Sequence, residues 1–158
     1  MPLISKPSCV RWRCFVGRLS RVVRVGADAL FVYGTLQFPE VLTALIGRVP
    51  EREAVGAEGW RVAALPGRPY PGIVPGDTIV RGYLITGLDA EEWRLLDAFE
   101  GPGYELVRIE LTDGRCGWAY VWPSEVGDGD WSAEEFEAHE LAVYAEQCLE
   151  WRRGFEAT

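Results

Sequence analysis

The chain predicts a mixed α+β fold with a curved or barrel-like sheet and flanking helices, on three observations. Strand-like runs outnumber helical ones; Asp113-Gly114 separates two apolar runs; and one helix-start code occurs twice, at Asp89 and at Ser132. With 158 residues, 48% hydrophobic and 25% charged, the chain has the length of one ordinary domain and the composition of a folded one.

Residues 29–33 (ALFVY) read as a short buried strand ending at Gly34. Pro39 suits the first turn of a short helix, PEVLTALI, and Gly47 its stop. The stretch 54–65 is strand-like but interrupted by Gly56 and Gly59, which predicts a bend or bulge. A Pro/Gly-rich loop is expected over 66–76, followed by a strand in TIVRGYLITG. Asp89 then caps a helix, with Glu92 completing a capping box and Leu88 and Trp93 placed as a hydrophobic staple. That helix runs through EEWRLLDAFE to the break at Gly101-Pro102-Gly103. LVRIEL and CGWAYVW flank Asp113-Gly114 as a hairpin. Ser132 with Glu135 and Trp131 with Phe136 repeat the box and the staple, so one C-terminal helix is expected over roughly 133–152.

The net charge of −8 conceals an asymmetry. Residues 1–25 hold Lys6, Arg11, Arg13, Arg18, Arg21 and Arg24 and no acid, which leaves 10 basic against 24 acidic residues in the remainder. So acidic a body argues against a nucleic-acid partner, because phosphates would be repelled. Residues 1–27 are therefore read as a basic leader, disordered or outside the core, and 28–158 as a single domain. The leader lacks the apolar region of a secretory signal; an organelle transit segment and an extension from an upstream start both fit it. No apolar run reaches the ~18 residues of a membrane helix, so no membrane partner is expected.

Cys9, Cys14, Cys116 and Cys148 show no C-x-x-C pairing, and His139 is the single histidine. A disulfide framework and a metal site are not expected, and a reducing cytoplasm is the expected compartment, with organelle import through the leader as the alternative. One histidine without a nucleophile motif also leaves little room for a Ser-His-Asp or Cys-His enzyme.

Two features carry chemistry. The first is Tyr33-Gly34-Thr35-Leu36, where a buried strand, a glycine turn and a helix start follow one another. Backbone N–H groups converge at such a turn, a helix dipole adds favourable potential, and a small carboxylate can sit there without an arginine. On the local pattern alone, a plain turn with Tyr33 packed in the core is the commoner outcome. The second is Glu100, which continues the stripe of Trp93 and Leu96 at helical spacing. A carboxyl on an apolar stripe, just before a Gly-Pro-Gly break, is a candidate for partial burial and hence for a raised pKa. Fraying of the last turn into water is the alternative, and Asp97 is a competitor that lies off the stripe.

Taken together, YGTL, the YPGIVP segment, RGYLI and LDAFEGPGY closely resemble the gamma-glutamylcyclotransferase-like family over about residues 30–122, in the family's order and spacing. That family includes gamma-glutamylamine cyclotransferases and a plant branch first named for avirulence-induced genes, which the long C-terminal helix resembles more. The resemblance implies the family's small mixed barrel. It assigns the catalytic acid/base to Glu100, and binding of the substrate's α-carboxylate end to Tyr33, Gly34, Thr35 and Leu36. Tyr104 is implied to border the pocket, and Tyr70 to line its entrance. The implied reaction closes the γ-glutamyl group of a small amine or amino acid to 5-oxoproline, with no cofactor and no metal. The expected partner is thus a small γ-glutamyl substrate, with the protein a monomer or weak homodimer. A non-catalytic ligand-binding module and a γ-glutamyl hydrolase are alternatives on the same residues.

Overall fold

Strand β1 (Leu30–Val32) is short and buried on both faces: Leu30 and Val32 enter one apolar cluster, Phe31 and the following Tyr33 another. The computed structural model describes residues 29–157, so the expected basic leader lies outside the described residues. β1 pairs antiparallel with the end of β3 (Pro71–Ile85) and parallel with β5 (Cys116–Val121). β2 (Arg52–Ala64) runs antiparallel along the whole of β3, and β4 (Glu105–Glu110) antiparallel to β5. The order is β2-β3-β1-β5-β4.

The sheet curls because β3 is long enough to leave β1 and meet β5 again, where Ile73 pairs with Val121. Its concave side encloses a cluster to which every strand contributes, including Phe31, Ala57, Ile73, Ile109 and Ala119. The barrel is open, since β2 and β4 share no ladder. Their ends are tied by Thr112 N–H donating to the Gly56 carbonyl at 2.9 Å and Gly56 N–H donating to Thr112 Oγ1 at 3.3 Å. The barrel-like expectation therefore holds for the curl and not for closure.

Four helices cover the convex face. α1 (Pro39–Ile46) starts on proline and ends at Gly47, as expected. α2 (Ala90–Glu100) carries the full Asp89–Glu92 capping box. Glu92 also takes two hydrogen bonds from the Arg48 guanidinium, each 2.7 Å, which ties the end of α1 to the start of α2. Leu88 and Trp93 are both buried in the cluster between helices and sheet. Ser132 Oγ accepts from Glu135 N–H at 3.2 Å, and the Trp131 and Phe136 rings lie 5.5 Å apart.

Three expectations need correction. The segment 66–76 is not all loop, because β3 begins at Pro71. Proline fits there because Pro71 opens the strand, while Pro75 falls opposite Trp60 where the register slips. Of the two glycines expected to bend β2, only Gly59 does so, at φ 88°; Gly56 stays in register with Arg81. The C-terminal helix is two, α3 (Ala133–His139) and α4 (Leu141–Glu156), broken at Glu140. In one continuous helix Leu141 would sit roughly 140° around from Phe136. The break brings both into the core, and it carries no glycine or proline signal. A fourth correction concerns Cys116, which is disulfide-bonded where no disulfide framework is expected.

Gly82 lets β1 and β3 approach. A Cβ there would lie 2.2 Å from the Val32 carbonyl oxygen and 3.1 Å from the Phe31 ring. Because the nearest obstacle is backbone, relief requires the strands to part just before Tyr33. Gly82→Ala is expected to lower stability by roughly 1–3 kcal/mol in urea denaturation, the usual cost of overpacking.

Candidate active site

The chain leaves β1 at Val32 and turns at Gly34 into a single 3-10 turn, Thr35–Gln37, before α1 begins at Pro39. The glycine turn thus opens onto 3-10 geometry rather than an α-helix. Three residues carry little macrodipole, so any anion preference here rests on the N–H groups themselves. At Gly34 the neighbouring Pro71 leaves no room for a side chain, since its Cγ would lie 2.8 Å from a Cβ. The turn is pressed against the first residue of β3, which sequence alone did not indicate.

Glu100 is the last residue of α2, and Gly101 follows at φ 69°. Trp93 and Leu96, its stripe partners, are fully buried and hold the helix on the core. Glu100 itself is half-buried and faces a cleft shared with Phe31, Tyr33, Gly34, Thr35, Leu36, Tyr70, Pro71, Tyr104 and Tyr120. Among the described residues its carboxyl makes no hydrogen bond and no ion pair. Burial, and after it the negative charge of Asp97, push its pKa up to about 8.

The cleft has two parts that share Tyr70, Glu100 and Tyr104. Beside the glycine turn it is a slot, with room for only about 20 Å³ of water-sized occupancy. On the other side of Glu100 it widens to about 180 Å³, bounded further by Phe99, Tyr144, Gln147 and Cys148.

Tyrosine hydroxyls brace the slot. Tyr33 OH donates to the Tyr120 carbonyl at 2.5 Å and accepts from Ile73 N–H at 3.2 Å. Tyr104 OH donates to the Pro71 carbonyl at 2.5 Å, and Thr35 Oγ1 lies 3.3 Å from Tyr144 OH. Tyr120 OH donates to the buried Asp97 carboxylate at 2.5 Å. Burial drives the pKa values of Tyr33, Tyr104 and Tyr144 well above the phenol range, and that of the Cys148 thiol up to about 12. These groups are neutral near pH 7. The Glu100 carboxyl, by contrast, changes its charge near that pH.

The structure therefore brings Tyr33, Gly34, Thr35, Leu36, Glu100 and Tyr104 to one cleft, with Tyr70 at its junction. The Tyr33 and Tyr104 hydroxyls are spent on the fold, so these residues act there as walls and braces. Asp97 was set aside as lying off the stripe, yet it is 7% exposed and acts electrostatically on Glu100. The signal was present: Asp97 follows Trp93 by four residues, so it shares the broad buried face. Phe99 and Tyr120 stood in segments already read as helix and strand, with no sign that they faced a cleft. Tyr144, Gln147 and Cys148 belong to α4, whose approach no local pattern predicts.

Comparison with known proteins follows the same residues. The family model described as gamma-glutamyl cyclotransferase, AIG2-like, matches residues 30–135. An AIG2-like protein C of Arabidopsis thaliana is 37% identical over 140 residues, covering 81% of this chain and 81% of its own length. Two A. thaliana proteins solved in solution share the fold. One has a TM-score of 0.59 at 30% identity, over 76% of this chain and 87% of that one. The other has a TM-score of 0.60 at 28% identity, over 84% of each. The matched segment runs from β1 and its glycine turn through Glu100 to the start of α3, and on that match this chain belongs to the gamma-glutamyl cyclotransferase, AIG2-like family.

Proposed function

We propose that this protein cyclises the γ-glutamyl group of a small γ-glutamyl amine or amino acid to 5-oxoproline, releasing the free amine, with Glu100 as general acid/base. The observation that carries the reading is Glu100 itself: a carboxyl without a hydrogen-bond or ion-pair partner among the described residues, raised to about 8, in a cleft also lined by the Gly34–Leu36 turn. Neutral phenols and a neutral thiol surround it, so it is the proton acceptor available there near neutral pH.

The substrate brings both reacting groups. Its α-ammonium is the latent nucleophile and its γ-amide carbonyl the electrophile, so closure to a five-membered lactam is intramolecular. Correct placement alone is worth effective molarities of ~10⁵ M or more. The ionised Glu100 takes one proton from the ammonium, and the freed amine attacks the γ-carbon. As the old C–N bond breaks, the protonated Glu100 delivers that proton to the departing nitrogen. The attacking nitrogen loses its second proton to the same leaving amine, which departs as an ammonium ion, so the protons balance. Free N–H groups of the Thr35–Leu36 turn are suited to hold the substrate's α-carboxylate end.

Glu100→Gln is expected to fold and to lose roughly 10²–10⁴-fold in turnover, measured as 5-oxoproline release; near-normal release would end the acid/base assignment. The product also separates the reactions, since free glutamate would identify a hydrolase. A base must be ionised to accept a proton, so kcat/KM of the native protein should rise with pH, about tenfold per unit, and level off near pH 8. Asp97→Asn removes a neighbouring negative charge, so that limb should move to lower pH. In stability the sign is opposite. A carboxyl whose folded pKa exceeds its unfolded value stabilises the fold at low pH, and that contribution is lost as pH rises through about 8. Glu100→Gln should accordingly match the native Tm near pH 4 and exceed it near pH 9, by roughly 3 °C for each kcal/mol recovered.

A further inference from the structure

We infer that the wider compartment, on the α4 side of Glu100, receives the leaving group and selects an amine that carries no carboxylate and bears an apolar, ring-sized substituent over an amino acid or peptide. This rests on the cyclotransferase reading. The scissile amide divides the substrate in two. With the glutamyl half along the Gly34–Leu36 turn and its amine at Glu100, the leaving half extends into the compartment bounded by Tyr70, Phe99, Tyr104, Tyr144, Gln147 and Cys148.

Charge is the first argument. Among the described residues, Glu100 is the one formally charged side chain that lines the cleft, and no cation lines either part of it. Arg68 does not line the compartment; its guanidinium lies over the Trp122 ring, 5.1 Å from the centroid. Arg94 and Arg152 are engaged by Glu91 and Glu156 on the helix surfaces. An amino-acid leaving group holds its carboxylate on the carbon attached to the scissile nitrogen. That carboxylate would be desolvated, unpaired and near the Glu100 carboxyl.

Shape and surface are the second argument. An apolar cavity of roughly 150 Å³ takes up benzene, and this one has about 180 Å³. Its walls are ring faces and edges. Phe99 meets Tyr144 edge-on at 6.4 Å and Trp151 at 5.1 Å, and Tyr70 lies 6.3 Å from Tyr104. Such walls favour an arene at offset or edge geometry. Gln147 is exposed at the rim and offers one neutral hydrogen-bonding group, which suits a hydroxyl or ether on the far end of the ring.

The test is a matched pair, γ-glutamyl-2-phenylethylamide and γ-glutamyl-phenylalanine, which differ only in the leaving-group carboxylate, with glutathione alongside. The amide is expected to be cyclised with kcat/KM roughly 100-fold above the acid, and glutathione to rank with the acid. Gln147→Arg sets a cation at the rim and should cut the amide-to-acid ratio at least about tenfold. Equal kcat/KM for the pair overturns the subsite and leaves the cyclotransferase reading intact. Calorimetry on Glu100→Gln, which traps substrate, separates the two failures. No release by the native protein from any compound, with the trap still preferring the amide, overturns the chemistry and supports the subsite. Binding of neither compound, or of both alike, overturns the subsite.

Discussion

An unpartnered carboxyl held out of water is the constraint on which the rest of this structure turns. In its charged form such a group attracts any available donor, and a loose surrounding would supply one, by admitting water or by letting a side chain swing in. Among the described residues Glu100 has no partner, because the tyrosine hydroxyls that line its cleft are committed elsewhere. The Ile73 N–H bonds to the Tyr33 hydroxyl, which bonds to the Tyr120 carbonyl. The Tyr120 hydroxyl in turn bonds to Asp97, one turn before Glu100 on the same helix. Tyr120 thereby links the strand that delivers the glycine turn to the helix that delivers the carboxyl.

That bracing is neutral, which has an electrostatic consequence. A guanidinium or ammonium in the same place would hold the slot open but would pull the Glu100 pKa below its ordinary value. Phenols donate without adding charge, so burial and Asp97 are left to set the proton affinity. The ion pair between Arg48 and the buried Glu92 sits at the opposite end of the helix, where it fixes the start of α2. Rigidity and proton affinity are thus supplied by separate parts of the same helix.

What was legible in the sequence divides along the same line. Local chemistry could be read: the Asp89–Glu92 box, the stop at Gly47 and the Asp113-Gly114 hairpin are short-range devices whose residues are a few positions apart. The Trp93–Leu96–Glu100 stripe was legible for the same reason. Everything that needed two distant elements to meet was not. Pro71 against Gly34, Tyr120 against Asp97 and α4 against the far side of Glu100 depend on the curl of the sheet and the break at Glu140. The start of β3 was hidden because its prolines signal a loop unless one knows that Pro75 falls at the bulge beside Gly59. The four segments that resemble the family identified the cleft's near wall; its far wall lies in α4, beyond the matched residues.

The two walls carry different obligations. In the proposed reaction every substrate presents the same glutamyl half, so the wall that meets it, the turn after β1, is narrow and tied to the sheet. The leaving half differs between substrates, and it meets a helix held on the core by the buried Leu141, Tyr144 and Cys148, with Trp151 and Phe155 packed beside them. Side chains beside those three, such as Gln147, are free to change without disturbing the sheet, the turn or Glu100. Divergence in leaving group therefore has a place to occur that costs neither the fold nor the acid/base, and the break at Glu140 is what turns that face of α4 toward the cleft. In the proposed reaction the chemistry falls to the sheet and the end of α2, and selectivity to a helix laid across the opening.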